Sequence, residues 1–292
     1  MTATTLRRRR LAARYALVVV SLALVGTGYA AITASSSPAA ASAPSPGQQA
    51  QIIHGEDLFN ANCATCHGFD AQGKAGVAPS LVGVGSAAVD FQVSTGRMPL
   101  KEPDAEAPRK PPAAPFLTPD GRPNERNIRA VAAYVESLGG GPEIPSAAQD
   151  NPNGADIGLG QQLFIANCAQ CHNFSGAGGA LTYGKYAPPL TKSTPAQIYE
   201  AMLTGPEAMP VFSEGVITPA QKRDVIDYVL KERSVPNPGG FSLGRVGPVT
   251  EGLVVFLGLL FVLVMSVLWI TAKQGKERPG ITSAVGETGK GT

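Results

Sequence analysis

Four cysteines and two histidines of this chain stand in two copies of one pattern, Cys-x-x-Cys-His. The copies occupy residues 63–67 and 168–172. On a helix, both thiols and the imidazole of such a run lie on one face, where the thiols can bond porphyrin vinyl groups and the imidazole can reach the iron. This spacing is the attachment signature of a c-type haem. The pattern predicts two covalently bound c-type haems, attached and ligated by Cys63, Cys66, His67, Cys168, Cys171 and His172.

The two copies belong to a longer internal repeat. They are offset by 168 − 63 = 105 residues, and residues 55–67 match residues 160–172 at 9 of 13 positions. Such self-similarity at a fixed offset indicates a duplication with one cofactor site in each copy.

Other chemistry is possible for cysteine and histidine in close spacing. A structural zinc site uses both, but its ligand pairs are normally spaced differently. A thioredoxin-like redox pair requires a βαβ setting, which the sequence does not predict. Two structural disulfides would not need a histidine after each pair. The pattern therefore favours haem.

The second axial ligand of each iron can be narrowed by counting histidines. The chain has three, His54, His67 and His172, and two bis-histidine haems would need four. A methionine thioether is the common alternative, and it raises the reduction potential. Met98 follows His67 by 31 residues, Met209 follows His172 by 37, and each precedes a proline. We therefore predict Met98 and Met209 as the axial ligands.

Two alternatives to these methionines stay open. Met202 lies in an apparent helix over residues 196–203, which is more typical of a core residue. His54 is predicted to be an exposed residue at the start of a helix.

Residues 50–138 and 155–234 resemble class I cytochrome c domains. In that family the first helix carries the haem motif and the last helix packs across it. Residues 128–135 and 225–230 are the expected last helices, and the second of them is expected to be capped at Thr218 before a proline. Gly55 and Gly160 fall in the first helices, where the missing side chain lets the two helices approach closely.

The same family has a proline whose carbonyl accepts the Nδ1–H of the proximal histidine, which orients the imidazole. Pro79, in Ala-Pro-Ser-Leu, and Pro188, in Ala-Pro-Pro-Leu, match it. The resemblance implies that these two prolines support the iron ligands.

Both ends of the chain carry hydrophobic segments. Residues 15–32 follow a basic segment, 1–14, and predict a transmembrane helix or a signal segment cleaved near Ala41-Ser42-Ala43. Residues 252–270 are 19 residues without a charge and predict a transmembrane helix. Five basic residues precede the first span and three follow the second. The positive-inside rule then predicts a multi-pass protein of the cell membrane, with both termini cytoplasmic and both haem domains on the outer face.

The expected fold class is all-α, with two tandem class I cytochrome c domains and a transmembrane helix at each end. Linkers rich in small residues, proline or glycine are expected at residues 33–49, 139–154 and 235–251, and a cytoplasmic tail at 271–292. Residues 100–123 form a proline-rich insertion in the first domain. It is either a surface loop or a partner-docking loop.

The charge distribution narrows the partners. The chain carries +2 overall, but residues 49–240 hold 14 Lys and Arg against 19 Asp and Glu, or −5. A mildly acidic exported part argues against nucleic acid as a partner. It permits docking to a basic redox protein.

The arrangement along nearly the whole chain resembles the dihaem cytochrome c subunit of the actinobacterial cytochrome bc complex, a menaquinol–cytochrome c reductase. The resemblance implies a subunit of a respiratory translocase that carries electrons and has no substrate site of its own. Its implied partners are membrane lipid, cytochrome b, the Rieske iron–sulfur subunit as donor and cytochrome c oxidase as acceptor. The implied electron order is Rieske centre, first haem, second haem, oxidase.

Two further interpretations remain. One is a dihaem subunit of another oxidase or of a periplasmic dehydrogenase, for which anchors at both ends are less typical. The other is a dihaem peroxidase, which needs one iron with an open or displaceable axial position.

Overall fold

The computed structural model describes residues 3–35, 44–102, 106–235, 245 and 248–276. Residues 1–49 and 50–292 form two separate compact units. The first unit contains helix α1 (Ala3–Ser35) and the start of helix α2 (Pro46–Asn62). Of the predicted first linker, residues 36–43 lie outside the described residues, as do most of the linker at 235–251 and residues 277–292 of the tail.

The second unit contains both helical domains. The first domain continues α2 and adds α3 (Ala64–His67), α4 (Ser86–Ser94) and α5 (Glu125–Ser137). The helices of the second domain are α6 (Ile157–Asn167), α7 (Ala169–His172), α8 (Pro195–Thr204) and α9 (Pro219–Ser234). Its remaining elements are the antiparallel strands β1 (Gly179–Ala180) and β2 (Tyr186–Ala187) and the 3₁₀ turns Thr182–Gly184 and Leu190–Lys192. Helix α10 (Pro248–Lys276) follows, and the described chain is mainly helical, as expected.

The first and last helices of each domain touch backbone to backbone. A Cβ added at Gly55 of α2 would lie 2.0 Å from the carbonyl oxygen of Ala130 in α5. A Cβ added at Gly160 of α6 would lie 2.0 Å from the carbonyl oxygen of Asp224 in α9. The predicted role of the two glycines is therefore confirmed.

A pair of aromatic side chains packs at each of these helix crossings. The rings of Phe59 and Tyr134 lie 5.2 Å apart, and those of Phe164 and Tyr228 lie 5.1 Å apart, both tilted. Such a pair contributes about 1 kcal/mol beyond its buried area. The equal geometry in the two domains reflects the sequence repeat.

Two local predictions fare differently. Thr218 caps α9 as predicted, since its hydroxyl accepts from the Gln221 backbone N–H and Pro219 is the first helical residue. The prediction for His54 is wrong, because α2 begins at Pro46 and places His54 inside the helix. Its side chain is half-buried, with Nε2 3.0 Å from Asn127 Oδ1.

The insertion at residues 100–123 packs against the body of the protein. Phe116 is 0 % exposed and belongs to the core of the first domain. The backbone N–H of Ala107 donates to Glu207 Oε1 at 3.0 Å, and Arg109 Nη1 donates to Gln197 Oε1 at 3.0 Å. Residues 103–105 lie outside the described residues. The described part of the insertion is thus a docking segment, and its partner is the chain's own second domain.

Helices α4 and α8 form the main contact between the two domains. Gln197 Nε2 donates to Ser94 Oγ at 3.2 Å across this contact.

Two carboxyl groups are buried at the same contact. Asp90 is 7 % exposed and Glu200 is 0 % exposed, and their carboxyl groups face each other. Burial, and then the charge of Asp90, raise the pKa of Glu200 well above its ordinary value of 4.5. Arg129 opposes this shift, whereas Asp150 adds to it. Neither Glu200 carboxyl oxygen has a hydrogen-bond partner among the described residues, and burial next to Asp90 favours the protonated form of Glu200.

We expect the protein to lose stability as the pH rises from 5.5 to 8. The pKa of Glu200 is higher in the folded state than in the unfolded state, so its contribution is complete below about pH 4.5 and declines as the pH rises towards the folded-state value. Glu200→Gln should remove most of this slope. It should also raise the free energy of unfolding at pH 8 by on the order of 2 kcal/mol. Thermal unfolding of the full chain in detergent, followed by circular dichroism at both pH values, measures this.

Glu143→Gln removes the same charge from an exposed position and is the matched control. A Glu200→Gln variant that keeps the wild-type pH slope would show that Glu200 is ionised in the folded protein.

Helices α1 and α10 are each long and apolar enough to cross a membrane. The candidate spans are Ala13–Ala30 and Thr250–Lys273, and neither is buried inside the protein. At the end of the second span, the ammonium group of Lys273 lies 4.4 Å from the centroid of the Trp269 ring. An aromatic and a basic residue together are typical of a membrane–water boundary.

Candidate functional site

Each haem motif begins at a break between two helices. α2 ends at Asn62 and α6 ends at Asn167, and the next residue, Cys63 or Cys168, caps the short helix that follows. Its carbonyl accepts from the N–H of the second cysteine at 3.1 Å in both copies, and from the histidine N–H at 3.0 and 2.9 Å. The motif is therefore one short helical turn of its own, whereas one continuous helix had been expected.

Both motif histidines bond to the predicted prolines. His67 Nδ1 lies 2.9 Å from the carbonyl oxygen of Pro79, and His172 Nδ1 lies 3.0 Å from that of Pro188. A carbonyl oxygen only accepts, so Nδ1 carries the hydrogen in each ring. The Nε2 lone pair of each imidazole is then free to bind a metal ion.

A glycine six residues after each histidine shapes the loop that carries this proline. Gly73 and Gly178 donate their N–H to the carbonyl of the histidine, at 2.8 and 2.9 Å. Both have positive φ, and an added Cβ would lie 2.6 Å from the Pro79 carbonyl carbon or 2.4 Å from the Ala187 oxygen. Sequence reasoning did not identify these two residues. The shared offset of six residues was the available signal.

A cavity of about 240 Å³ lies beside the second motif. Its lining is mostly apolar and includes Cys168, Cys171, His172, Met202 and Met209. A porphyrin is a largely apolar disc with a metal at its centre. The residues present therefore fit a haem attached at the two thiols, with an imidazole and a thioether available to the iron.

The three candidate methionines have different settings. Met98 and Met209 are partly buried and pack against the cores of the first and second domains. Met202 is 2 % exposed and belongs to the core of the second domain, as α8 also contributes Ile198 and Tyr199 there. Met202 and Met209 both line the second cavity, so their roles remain predictions.

Burial governs the ionisation of the motif side chains. It raises the pKa of the Cys63 thiol and of the Cys168 thiol to about 11, and the neighbouring cysteine of each motif adds to the effect. It lowers the pKa of His172 despite the opposing bond to Pro188. His172 is therefore a neutral imidazole at pH 7, the form that binds a metal.

The alternative chemistries find little support in the geometry. No disulfide joins any of the four cysteines. Among the residues that the structure describes, no group of three His, Cys, Asp or Glu side chains is placed to hold a metal ion.

Family models match both domains. Residues 52–139 match the cytochrome c family, and residues 155–229 match cytochrome c oxidase, cbb3-type, subunit III. A class I cytochrome c fold is thus shown for the two domains in tandem, and it implies covalent c-type haem.

Curated relatives match nearly the whole chain. The cytochrome bc1 complex cytochrome c subunit of Corynebacterium diphtheriae is 41% identical over 286 residues, which cover 93% of this chain and 99% of the relative. The protein of the same name from Mycobacterium tuberculosis is 41% identical over 274 residues, which cover 91% of this chain and 94% of the relative. The cbb3-type cytochrome c oxidase subunit FixPc of Rhizobium leguminosarum is 33% identical over 135 residues, 44% of this chain and 42% of the relative.

The full-length matches settle which family the two-domain arrangement represents. They cover more than nine-tenths of the chain, whereas the similarity to the cbb3-type subunit covers less than half of it. The chain is a membrane-anchored electron-transfer protein and belongs to the family of cytochrome c subunits of the cytochrome bc1 complex.

Proposed function

We propose that this protein is a dihaem relay that takes electrons from the Rieske protein of its complex and passes them to a terminal cytochrome c oxidase. The observation that carries the proposal is the contact between the two segments that contain the proposed methionine ligands. The segment that contains Met98 and the segment that contains Met209 meet where Arg97 Nη1 lies 3.8 Å from Glu207 Oε1. Electron tunnelling weakens steeply with distance, so a relay needs its two centres held close.

Equivalent residues of the chain would have the same roles at both haem sites. Cys63 and Cys66 attach the first haem, and Cys168 and Cys171 the second, while His67 and His172 bind the irons. A bound haem would supply one-electron redox chemistry at each site. The Pro79 and Pro188 carbonyls hold the imidazoles in one orientation.

Thioether ligation by Met98 and Met209 fits a late position in a respiratory chain. Methionine as an axial ligand raises the reduction potential of haem iron. Binding of Met98 and Met209 to the irons, together with His67 and His172, would leave no coordination position for a substrate. An electron carrier is therefore favoured over a peroxidase.

The proposed partners follow from the named relatives and the charge. These are subunits of the bc1 complex, whose activity is that of a quinol–cytochrome c oxidoreductase, so we propose cytochrome b and the Rieske subunit as neighbours. The electron order is Rieske centre, first haem, second haem, oxidase. The net charge of −5 over residues 49–240 suits a basic electron acceptor.

We further propose that both termini are cytoplasmic and that both haem domains lie on the outer face. Arg7 to Arg10 precede the first candidate span and Arg14 is its second residue. Lys273 ends the second candidate span, and Lys276 and Arg278 follow it. Basic residues near span ends are retained on the cytoplasmic side.

Affinity purification of the tagged full chain in mild detergent tests the proposed function. We expect cytochrome b, a Rieske protein and oxidase subunits to co-purify in similar amounts, with a c-type band in the reduced-minus-oxidised spectrum. Co-purification with a cbb3-type oxidase alone would instead favour the function suggested by the match of residues 155–229. A c-type band with a dehydrogenase or no partner would reject the proposed pathway.

A further inference from the structure

The cavity of the second haem site is not built from the second domain alone. Four side chains from the first domain also line it. Phe91 belongs to α4, Arg97 lies just after α4, and Glu106 and Arg109 come from the insertion. The first domain thus forms one wall of this cavity, and that wall contains two arginines.

Arg97 is a buried cation with an unused donor. The residue is 7 % exposed. Its Nη1 donates to the Ala107 carbonyl at 2.6 Å, and its Cζ lies 5.3 Å from the centroid of the Phe91 ring. Its Nε is sealed from solvent and has no hydrogen-bond partner among the described residues. Because buried N–H groups are normally bonded, the protein itself satisfies this guanidinium only in part.

Arg109 is held against the same cavity from the insertion. Its Nη1 donates to Gln197 Oε1 at 3.0 Å, and Gln197 in turn donates to Ser94 Oγ at 3.2 Å. Arg109 is exposed overall, but partial desolvation, and then the nearby charge of Arg97, lower the pKa of Arg109. Two cations brought together beside one cavity are stabilised by an anion placed between them.

The nearby carboxylates of the protein neutralise these two arginines only in part. Glu207 pairs with Arg97 at a loose 3.8 Å, and its Oε1 also accepts from the Ala107 N–H. Glu106 Oε1 accepts from the backbone N–H of Tyr186 at 2.9 Å. Neither contact gives Arg97 Nε an acceptor.

We propose that Arg97 and Arg109 bind the propionate carboxylates of the haem held by the second domain, so that the first domain completes the second haem site. A haem carries two such carboxylates, and guanidinium groups bind carboxylates with two parallel hydrogen bonds. Arg97 and Arg109 are positioning residues, because they act on the periphery of the cofactor and not on the iron. The inference rests on the proposed function in requiring a haem at the second site.

This arrangement would also connect the two sites. Arg97 directly precedes Met98, the proposed ligand of the first iron, and its partner Glu207 lies two residues before Met209. The chain would bind a group of the second haem through the same short segment that provides a ligand to the first.

Spectroelectrochemical titration of the c-type haems in the purified complex tests the inference, with the variants Arg97→Gln and Arg109→Gln. The component shifted by Met209→Ala identifies the second haem. Removal of a cation that neutralises a propionate disfavours the reduced form. We expect Arg97→Gln to decrease the equilibrium constant for reduction of the second haem about tenfold, which is about 59 mV for one electron. Arg109→Gln should shift the same component in the same direction by less, since Arg109 is more exposed.

Arg122→Gln is the matched control, because Arg122 is an exposed arginine of the same insertion that does not line the cavity. Arg109→Lys should keep the potential nearer to wild type than Arg109→Gln does. If the Arg97→Gln variant does not accumulate, the potentials of the Arg109 variants still test the inference. Shifts no larger than those of Arg122→Gln, or shifts confined to the first haem, would overturn the inference. A wild-type protein that contains only one haem per chain would reject the proposed function itself.

Discussion

Gly160→Ala is expected to separate α6 from α9 and to abolish the second haem site while leaving the first intact. The added Cβ would lie 2.0 Å from the Asp224 oxygen and 2.5 Å from its carbonyl carbon. These are backbone atoms of α9, so relief requires moving a whole helix. That movement would also part Phe164 from Tyr228. We expect the free energy of unfolding to fall by about 3 kcal/mol or more, which is a large part of the stability of a domain.

The measurement is the c-type haem content per chain together with thermal unfolding in detergent. Gly160→Ala should retain one haem of two, and Gly55→Ala should show the reciprocal loss at the first site. Gly47→Ala is the control, because nothing lies within 4 Å of a Cβ there, and alanine is the better helix former by up to about 1 kcal/mol. Wild-type haem content and stability in Gly160→Ala would show that the helices do not approach this closely.

Met209→Ala is expected to lower the reduction potential of the second haem by on the order of 0.1 V or more. Axial ligands tune haem potentials over roughly 0.8 V, and a thioether stabilises the reduced iron. Met202→Leu is the matched comparison, since Met202 lines the same cavity but belongs to the core. This volume-conserving change should cost less than about 1.5 kcal/mol and leave the potential nearly unchanged.

Redox titration of both variants in the full-length chain decides between the two methionines. A large shift in Met202→Leu with none in Met209→Ala would make Met202 the ligand. Met98→Ala should shift only the first haem. Peroxide turnover gained by Met98→Ala would favour the peroxidase interpretation.

Features within one repeat could be predicted because each depends on residues close in sequence or repeated at a fixed offset. The haem motifs and the helix-packing glycines are of this kind, and both copies have the same local geometry. Hydrophobic segments at the two ends could be read from length and composition alone.

Contacts between the two repeats could not be predicted in this way. Ala107 and Glu207 are 100 residues apart, and neither periodicity nor motif spacing reports such a pairing. For the same reason the burial of Glu200 against Asp90 could not be predicted, since a glutamate in an amphipathic helix normally faces solvent. The prediction for His54 failed for a local reason, because α2 begins at Pro46, inside residues 33–49, whose Ala, Ser and Pro content predicts a linker.

Quinol-driven reduction of the purified complex, followed by rapid-mixing absorption spectroscopy together with oxygen uptake, tests the relay most directly. The decisive variant replaces Cys168 and Cys171 by alanine, and its haem content is determined first. We expect quinol still to reduce the first haem in this variant, whereas oxygen uptake should fall at least tenfold. The mirror variant at Cys63 and Cys66 should leave neither haem reduced by quinol. Oxygen uptake at the wild-type rate in either variant would contradict the claim that both haems lie in one path.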